Sequence, residues 1–240
     1  MTNKKTLNTQ EVEKFSKMAD QWWKPNGSFK PLHMMNPIRL QYIKNMIESH
    51  FPKKKFTSIS IIDAGCGGGL VSEPLARIGF NVTGIDASSE NIEVAKQHAQ
   101  DNDVNVSYSC TTIEDLAATK IKYDVVLALE IIEHVDNVEY FISSLAQLAK
   151  NGGLIIFSTL NKTVKSYLFS IIGAEYIARI LPIGTHQYEK FIKPSELVKM
   201  AQKGDLVIQD LKGMEYNLLK KSWSLTDNID INYFACFVKN

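Results

Sequence analysis

Asp63-Ala64-Gly65-Cys66-Gly67-Gly68-Gly69 is the stretch that decides the fold. A short β-branched run over residues 59–62 precedes it and a helical pattern over 69–78 follows. The glycines therefore fall at the carboxyl edge of a sheet, where a ligand can approach the backbone. The same alternation continues downstream. Residues 81–85 read as a strand and 88–100 as a helix capped by Ser88 or Ser89. Val104, Val106, Tyr108 and Cys110 alternate as in a strand, and 124–129 is a continuous apolar run expected of a central strand. A helical stripe over 138–148 is stopped by Gly152-Gly153, and 154–158 is a further strand. Repeated βα units predict an α/β, doubly wound, mostly parallel sheet. A helix from Pro194 to Ala201 then leads to two strands, 206–211 and 231–238, joined by a connection with no clear helix. With no crossover between them they should pair antiparallel and close the sheet with an antiparallel C-terminal strand.

Upstream, Phe15, Met18, Ala19, Trp22 and Trp23 repeat at helical spacing over 11–23, so that helix must lie on something. Asn36 as cap and Pro37 at the first position open a second helix through Arg39, Tyr42, Ile43 and Ile47. The expected organisation is an N-terminal helical extension, 1–52, and an α/β domain, 53–240, carrying a helical insert at 161–192.

Composition narrows the function classes. The chain has 240 residues, 45% of them hydrophobic and 22% charged, enough for one domain with a large core, which excludes disorder as its main theme. With 27 basic against 26 acidic residues there is no long-range field for a polyanion, so a nucleic-acid partner is not expected. Cys66, Cys110 and Cys236 are far apart and form no C-x-x-C pair, which argues against a disulfide framework or zinc cluster and for a reducing, cytoplasmic setting. Residues 1–14 lack the apolar region of a secretory signal. The longest apolar stretch, 167–183, is interrupted by Glu175 and Arg179 and falls short of the roughly 20 residues a spanning helix needs.

The glycine spacing is G-x-G-x-G; the dinucleotide fingerprint would place its third glycine at position 70, which is Leu70. Asp63, two residues before Gly65, repels phosphate and favours a cationic amino group. Asp86 ends the second strand, 21 residues after Gly65, where a carboxylate accepts both ribose hydroxyls. A nucleoside carrying an ammonium group and no phosphate describes S-adenosylmethionine. Gly65, Gly67, Gly69, Asp63 and Asp86 are thus candidate cofactor residues, with Leu129, at the end of the fourth strand, offering apolar surface to the adenosine. Taken alone, the glycines could serve only a tight turn and Leu129 only the core. A nucleotide-dependent oxidoreductase is the rival reading, opposed by Leu70 and Asp63.

Several blocks carry a family resemblance. Trp22-Trp23, Phe29-Lys30-Pro31-Leu32-His33, Asn36-Pro37-Ile38-Arg39, the glycine stretch, Glu130-Ile131-Ile132-Glu133-His134-Val135, Ser158-Thr159-Leu160-Asn161 and Gly184-Thr185-His186 are similar to those of the ubiquinone-biosynthesis O-methyltransferases. The glycine motif is shared by most class I methyltransferases; the Phe-Lys-Pro-Leu-His, Asn-Pro-x-Arg and Gly-Thr-His blocks make the match narrow. The resemblance implies a Rossmann-like class I methyltransferase fold, S-adenosylmethionine as methyl donor, and both O-methylations of a polyprenylated phenol or catechol. Another small phenolic or lipid substrate is the alternative within the class. It also puts Arg39, Gly65, Asp86 and Leu129 on cofactor-binding positions, and other ubiquinone-biosynthesis enzymes are possible partners. Arg39 could pair bidentately with the methionine carboxylate, or it could be a surface arginine.

A phenol with a pKa of about 10 needs a base or a cation to become a nucleophile at neutral pH. Glu130, Glu133 and His134 are the candidate catalytic group, with three readings open. They could bind a divalent ion, magnesium by the family resemblance. His134 could act as a base oriented by Glu130 or Glu133. Or the run could be structural, His134 capping the next helix.

The insert has no wet face. Tyr167, Ile171, Ala174, Ala178 and Leu181 line one side, and Phe169, Ile172, Tyr176 and Ile180 occupy others. Such a helix is buried in its own protein or in something else. With Lys162, Lys165, Arg179, Lys190 and Lys193 around it, the expectation is a lid at the anionic inner face of the membrane.

Overall fold

The computed structural model describes residues 6–168, 187–217 and 222–240. Eight strands, β1 (Ser60–Ala64), β2 (Asn81–Asp86), β3 (Ser107–Cys110), β4 (Tyr123–Leu129), β5 (Ala149–Leu160), β6 (Leu206–Asn217), β7 (Ser222–Thr226) and β8 (Asn232–Lys239), form one sheet in the order β3-β2-β1-β4-β5-β8-β6-β7. The first five are parallel. β8 enters antiparallel between β5 and β6, with Ile156 opposite Cys236 and Asp210 opposite Cys236 on its other side. This is the class I methyltransferase arrangement, a mostly parallel sheet with an antiparallel C-terminal strand. Chain order reverses between β1 and β4, so the carboxyl ends of β1, β2 and β4 open onto one crevice.

Period-two alternation assigns the two sheet faces. Ile62, Ala64, Val126 and Ala128 point to a core shared with α6 (Val138–Leu148) and α8 (Pro194–Gln202). Ile61, Val125, Leu127 and Leu129 point the other way, onto Tyr42, Ile43 and Ile47 of α2 (Lys30–His50) and Leu75 of α3 (Ser72–Ile78). α4 (Ser89–Asp101) is capped by Ser88, whose hydroxyl accepts from the Asn91 N–H.

Several expectations change. The helix read over 11–23 is α1 (Thr9–Ser16) followed, after a break at Lys17-Met18, by a separate 3-10 turn, Ala19–Gln21. α2 starts at Lys30, with Pro31 in its first turn and Pro37 inside it. Asn36 does not cap it, because its amide donates to the Leu70 carbonyl at 2.6 Å and its oxygen accepts from Arg39 at 3.0 Å. Burial of Ile38, Tyr42, Ile43 and Ile47 outweighs the hydrogen bond that Pro37 forfeits. β3 is limited to its last four residues, and a short helix, α5 (Ile113–Ala118), capped by Thr112, follows it. The late connection, read only as lacking a helix, carries strand pairing in its described part: β6 runs on to Asn217 and pairs with β7, Tyr216 opposite Trp223. Of the insert, α7 (Val164–Ser166) and the 3-10 turn Tyr188–Lys190 are described. The helical stripe beyond Leu168 and the Gly184-Thr185-His186 block lie outside the described residues. Among those, no helix is long and apolar enough to cross a membrane.

Candidate active site

A cavity of about 650 Å³ opens at the carboxyl ends of β1, β2 and β4. Its walls include Asp63, Asp86, Leu129, Glu133, His134 and Arg39. Among the glycines, Gly65 (φ +73°) and Gly67 (φ +54°) line it in left-handed conformations that L side chains rarely adopt. A Cβ on Gly67 would lie 2.3 Å from the Trp22 ring. Bare backbone there serves the N-terminal segment as well as any ligand. Gly69 does not line the cavity; it faces the Tyr108 hydroxyl, and its role is packing.

Asp63 and Asp86 mark two ends of the crevice. Asp63 is buried, accepts from Ser72 Oγ at 2.6 Å, and is pushed up to about 6 by burial, against the pull of Ser72 and Arg39. An isolated carboxyl in such a place gains most from a cation. Asp86 accepts from the backbone N–H of Gly67 at 3.0 Å and of Ser88 at 2.8 Å, and from the Asn91 amide at 3.3 Å. Burial raises its pKa despite these bonds. Oδ1 takes the bonds from Ser88 and Asn91 and Oδ2 only that from Gly67, so Oδ2 keeps a lone pair for a ligand hydroxyl.

Arg39 is 3% exposed, which removes the surface-arginine reading. Its Nη1 donates to Glu130 Oε2 at 2.6 Å and its Nη2 to Asn36, while its Nε is buried with no partner among the described residues. An unfilled guanidinium donor thus lines the same cavity as Asp63, Asp86 and Leu129, a set whose charges complement an amino-acid-bearing nucleoside.

The Glu-x-x-Glu-His run does not converge. Glu130, at φ +47°, accepts from Arg39 and from Ser158 Oγ (2.6 Å). Glu133, on the 3-10 turn Ile132–His134, is buried and accepts from Thr159 Oγ1 at 2.8 Å; burial raises its pKa. His134 Nδ1 meets Glu11 Oε2 of α1 at 2.8 Å. Among the described residues no three His, Cys, Asp or Glu side chains are grouped to hold a metal ion. The expected magnesium site on Glu130, Glu133 and His134 finds no support in this arrangement. Each group is committed to its own protein partner, and Glu130 already has a cation in Arg39.

The imidazole's carboxylate partner is Glu11, not Glu130 or Glu133. The hydrogen bond from His134 is the main reason the Glu11 carboxyl sits below its usual range. Sequence reading missed Glu11 because 123 residues separate the pair; the one signal was the apolar face of the first helix, which had to rest on something. Trp22 was missed likewise. Its ring stacks on Phe29 with centroids 3.7 Å apart, and its Nε1 donates to Asn91 Oδ1 at 2.8 Å. Ser158 and Thr159 stood in a motif block without an assigned role and prove to hold the two glutamates.

The model of a family described as a methyltransferase domain matches residues 39–211. A ubiquinone biosynthesis O-methyltransferase of Pelagibacter ubique is 49% identical over 239 residues, 98% of this chain and 99% of that protein. One of Rickettsia canadensis is 46% identical, covering 98% of each. Among solved structures, magnesium protoporphyrin IX methyltransferase of Synechocystis PCC 6803 with bound SAH shares the fold at TM-score 0.68 and 21% identity, over 97% of this chain and 99% of that one.

Proposed function

Since the chain belongs to the methyltransferase family, and within it to the ubiquinone biosynthesis O-methyltransferases, we propose that it transfers methyl from S-adenosylmethionine to ring hydroxyls of polyprenylated phenols and catechols at both O-methylation steps of that pathway. Near-full-length identity of 49% to a protein of that name carries the reading. The crevice supports it.

When bound, S-adenosylmethionine supplies an activated methyl: the ring oxygen forms the new C–O bond while the C–S bond breaks and its electron pair stays on sulfur. The protein's own groups bind, orient and deprotonate. Asp63 takes the ammonium, Arg39 turns its free Nε to the carboxylate, Asp86 holds the ribose hydroxyls, and Leu129 walls the adenosine. His134, in the same cavity, receives the phenolic proton and later passes it to water. Glu130 keeps Arg39 in place, and Glu133 supports the turn that carries the base through Thr159. Positioning supplies most of the rate.

The substrate's tail places the enzyme at a membrane surface. Where the insert leaves the described part of the chain, Val164 and Leu168 are 72% and 49% exposed, an apolar edge beside Lys162 and Lys165. Salt-sensitive sedimentation with anionic liposomes, lost on deleting 167–181, tests that placement; equal sedimentation of both forms refutes it. The catalytic reading is tested by methyl transfer to a prenylated phenol and a prenylated catechol. Turnover of both is expected, and turnover of neither overturns it.

A further inference from the structure

The cavity extends past the residues assigned to the cofactor. Along the carboxyl edge of the sheet it is lined in turn by Asp86 on β2, Asp63 on β1, Leu129 on β4, Thr159 and Leu160 on β5 and Asn232 on β8, and then by Met214 and Tyr216 on β6 and Trp223 on β7. The β6–β7 hairpin begins three places beyond β4, roughly 14 Å along the sheet at the usual strand spacing. A single aromatic ring set against the end of β4 does not reach it.

Period-two alternation gives the hairpin one apolar face. Tyr216 stands opposite Trp223 and Met214 opposite Leu225, on the side away from exposed Glu215, Ser222 and Ser224. The inner half of that face is closed, since Met214 is buried and Leu225 packs against the α2 core that holds Tyr42 and Phe234. The outer half is not: Tyr216 and Trp223, ring centroids 5.4 Å apart, are only partly buried, and both line the cavity. Met35 of α2, Leu160 and Ile231 add apolar lining. Every charged side chain lining the cavity comes from α1, α2, α5 or the ends of β1, β2 and β4 and the turns after them; among the described residues none comes from β5, β8 or the hairpin. Asn232 Oδ1 already accepts the Met214 N–H at 2.8 Å.

We propose that this lobe is the subsite for the first isoprene unit of the acceptor's tail, gripped by Tyr216 and Trp223 while the ring lies at the ends of β4 and β5. This rests on the reading of the acceptor as a prenylated phenol or catechol. An uncharged branched hydrocarbon gains from aromatic rings and thioethers and needs no ion. A carboxylate, phosphate or ammonium would lose its hydration there with no counter-ion to replace it. Burial of the tail is binding energy remote from the reacting oxygen, available to hold the ring in place. The hairpin thereby selects acceptors that carry a tail.

Three acceptors decide the matter: catechol, prenylcatechol with one isoprene unit, and its geranyl homologue. They are compared in wild type, Trp223→Ala, Trp223→Phe and Tyr216→Ala, each checked by thermal melt and by calorimetry with S-adenosylmethionine. In wild type, kcat/KM should rise about 10-fold or more from catechol to prenylcatechol, and less for the second unit, which lies beyond the hairpin. Trp223→Ala should cut the prenylcatechol-to-catechol ratio about 10-fold, through KM rather than kcat, with S-adenosylmethionine affinity as in wild type. Tyr216→Ala should cut it in the same way, and Trp223→Phe, which keeps an aromatic ring, should retain most of it. Should Trp223→Ala not fold, the wild-type series and Tyr216→Ala carry the test. Equal kcat/KM for catechol and prenylcatechol in wild type overturns the tail subsite while leaving methyl transfer to oxygen intact. So does a ratio that the alanine variants leave as in wild type, whether activity is kept or lost equally on both acceptors, and so does weakened S-adenosylmethionine binding in its place. Turnover of no acceptor by wild type overturns the methyl-transfer reading and the subsite with it.

Discussion

Affinity for S-adenosylmethionine should fall steeply on mild acidification, and Asp63 sets the midpoint. Burial pushes its carboxyl up to about 6, although Ser72 and Arg39 both favour the charged form. A cationic amino group binds the carboxylate and not the acid, so binding lowers the pKa and the complex forms with proton release at about pH 6. The sign follows: affinity is full above the free enzyme's pKa and is lost as pH falls through it. For a midpoint of about 6, the acid form is about a tenth of the protein at about pH 7 and nine-tenths at about pH 5. The dissociation constant should therefore rise about tenfold over that interval, some 1.4 kcal/mol. Titration calorimetry in buffers of different ionisation enthalpy reads both the affinity and the proton released. Asp63→Asn keeps an oxygen to accept from Ser72 but cannot ionise; its affinity should be weak and nearly flat with pH. A flat wild-type profile, or the same slope in the Asn variant, refutes the assignment of Asp63 to the ammonium.

Asp86→Ala should weaken S-adenosylmethionine binding by about 2 to 4 kcal/mol, since it removes charge-assisted bonds to two hydroxyls and leaves the N–H groups of Gly67 and Ser88 without their acceptor; unchanged affinity by calorimetry removes Asp86 from the site. Gly67→Ala puts a Cβ 2.3 Å from the Trp22 ring on a positive-φ residue, so the first effect expected is a changed tryptophan emission, with about 1 to 2 kcal/mol lost from backbone conformation alone; wild-type emission and melting would contradict the packing. Asp124 lies far from the cavity. Burial opposes its charge, but Lys54, the Ser60 N–H and Lys150 hold its carboxyl well below the usual carboxylate range. A depressed folded pKa stabilises above about pH 4 and is lost as pH falls. Asp124→Asn should cost about 1 to 2 kcal/mol at neutral pH, the lysine heads being half in water, and the deficit should shrink in acid; a deficit independent of pH refutes it.

What could be read from the sequence was whatever the chain states locally. Glycine after a β-branched run, an acid two residues earlier and another after the next strand define the crevice because strand ends and their turns are neighbours in sequence and in space. Arg39 required the family resemblance, since nothing local to α2 shows that Asn36 and Leu32 turn its guanidinium inward. The magnesium expectation lacks support for the opposite reason. Glu130, Glu133 and His134 are adjacent in sequence, but the left-handed backbone at Glu130 and the 3-10 turn after it send them to partners on α2, β5 and α1. β7 escaped reading because Trp223 and Leu225 alternate for only five residues. The contact of α1 with His134 is a long-range one that periodicity can demand but not locate.

Where the methyl goes tests the proposed O-methylation most directly. Protein incubated with S-adenosylmethionine carrying a deuterated methyl and with a prenylated catechol should yield, by mass spectrometry and NMR, a single new methyl ether on a ring oxygen, with S-adenosylhomocysteine formed in equal amount. Label on a ring carbon, or cofactor consumed with no ether formed, would contradict it.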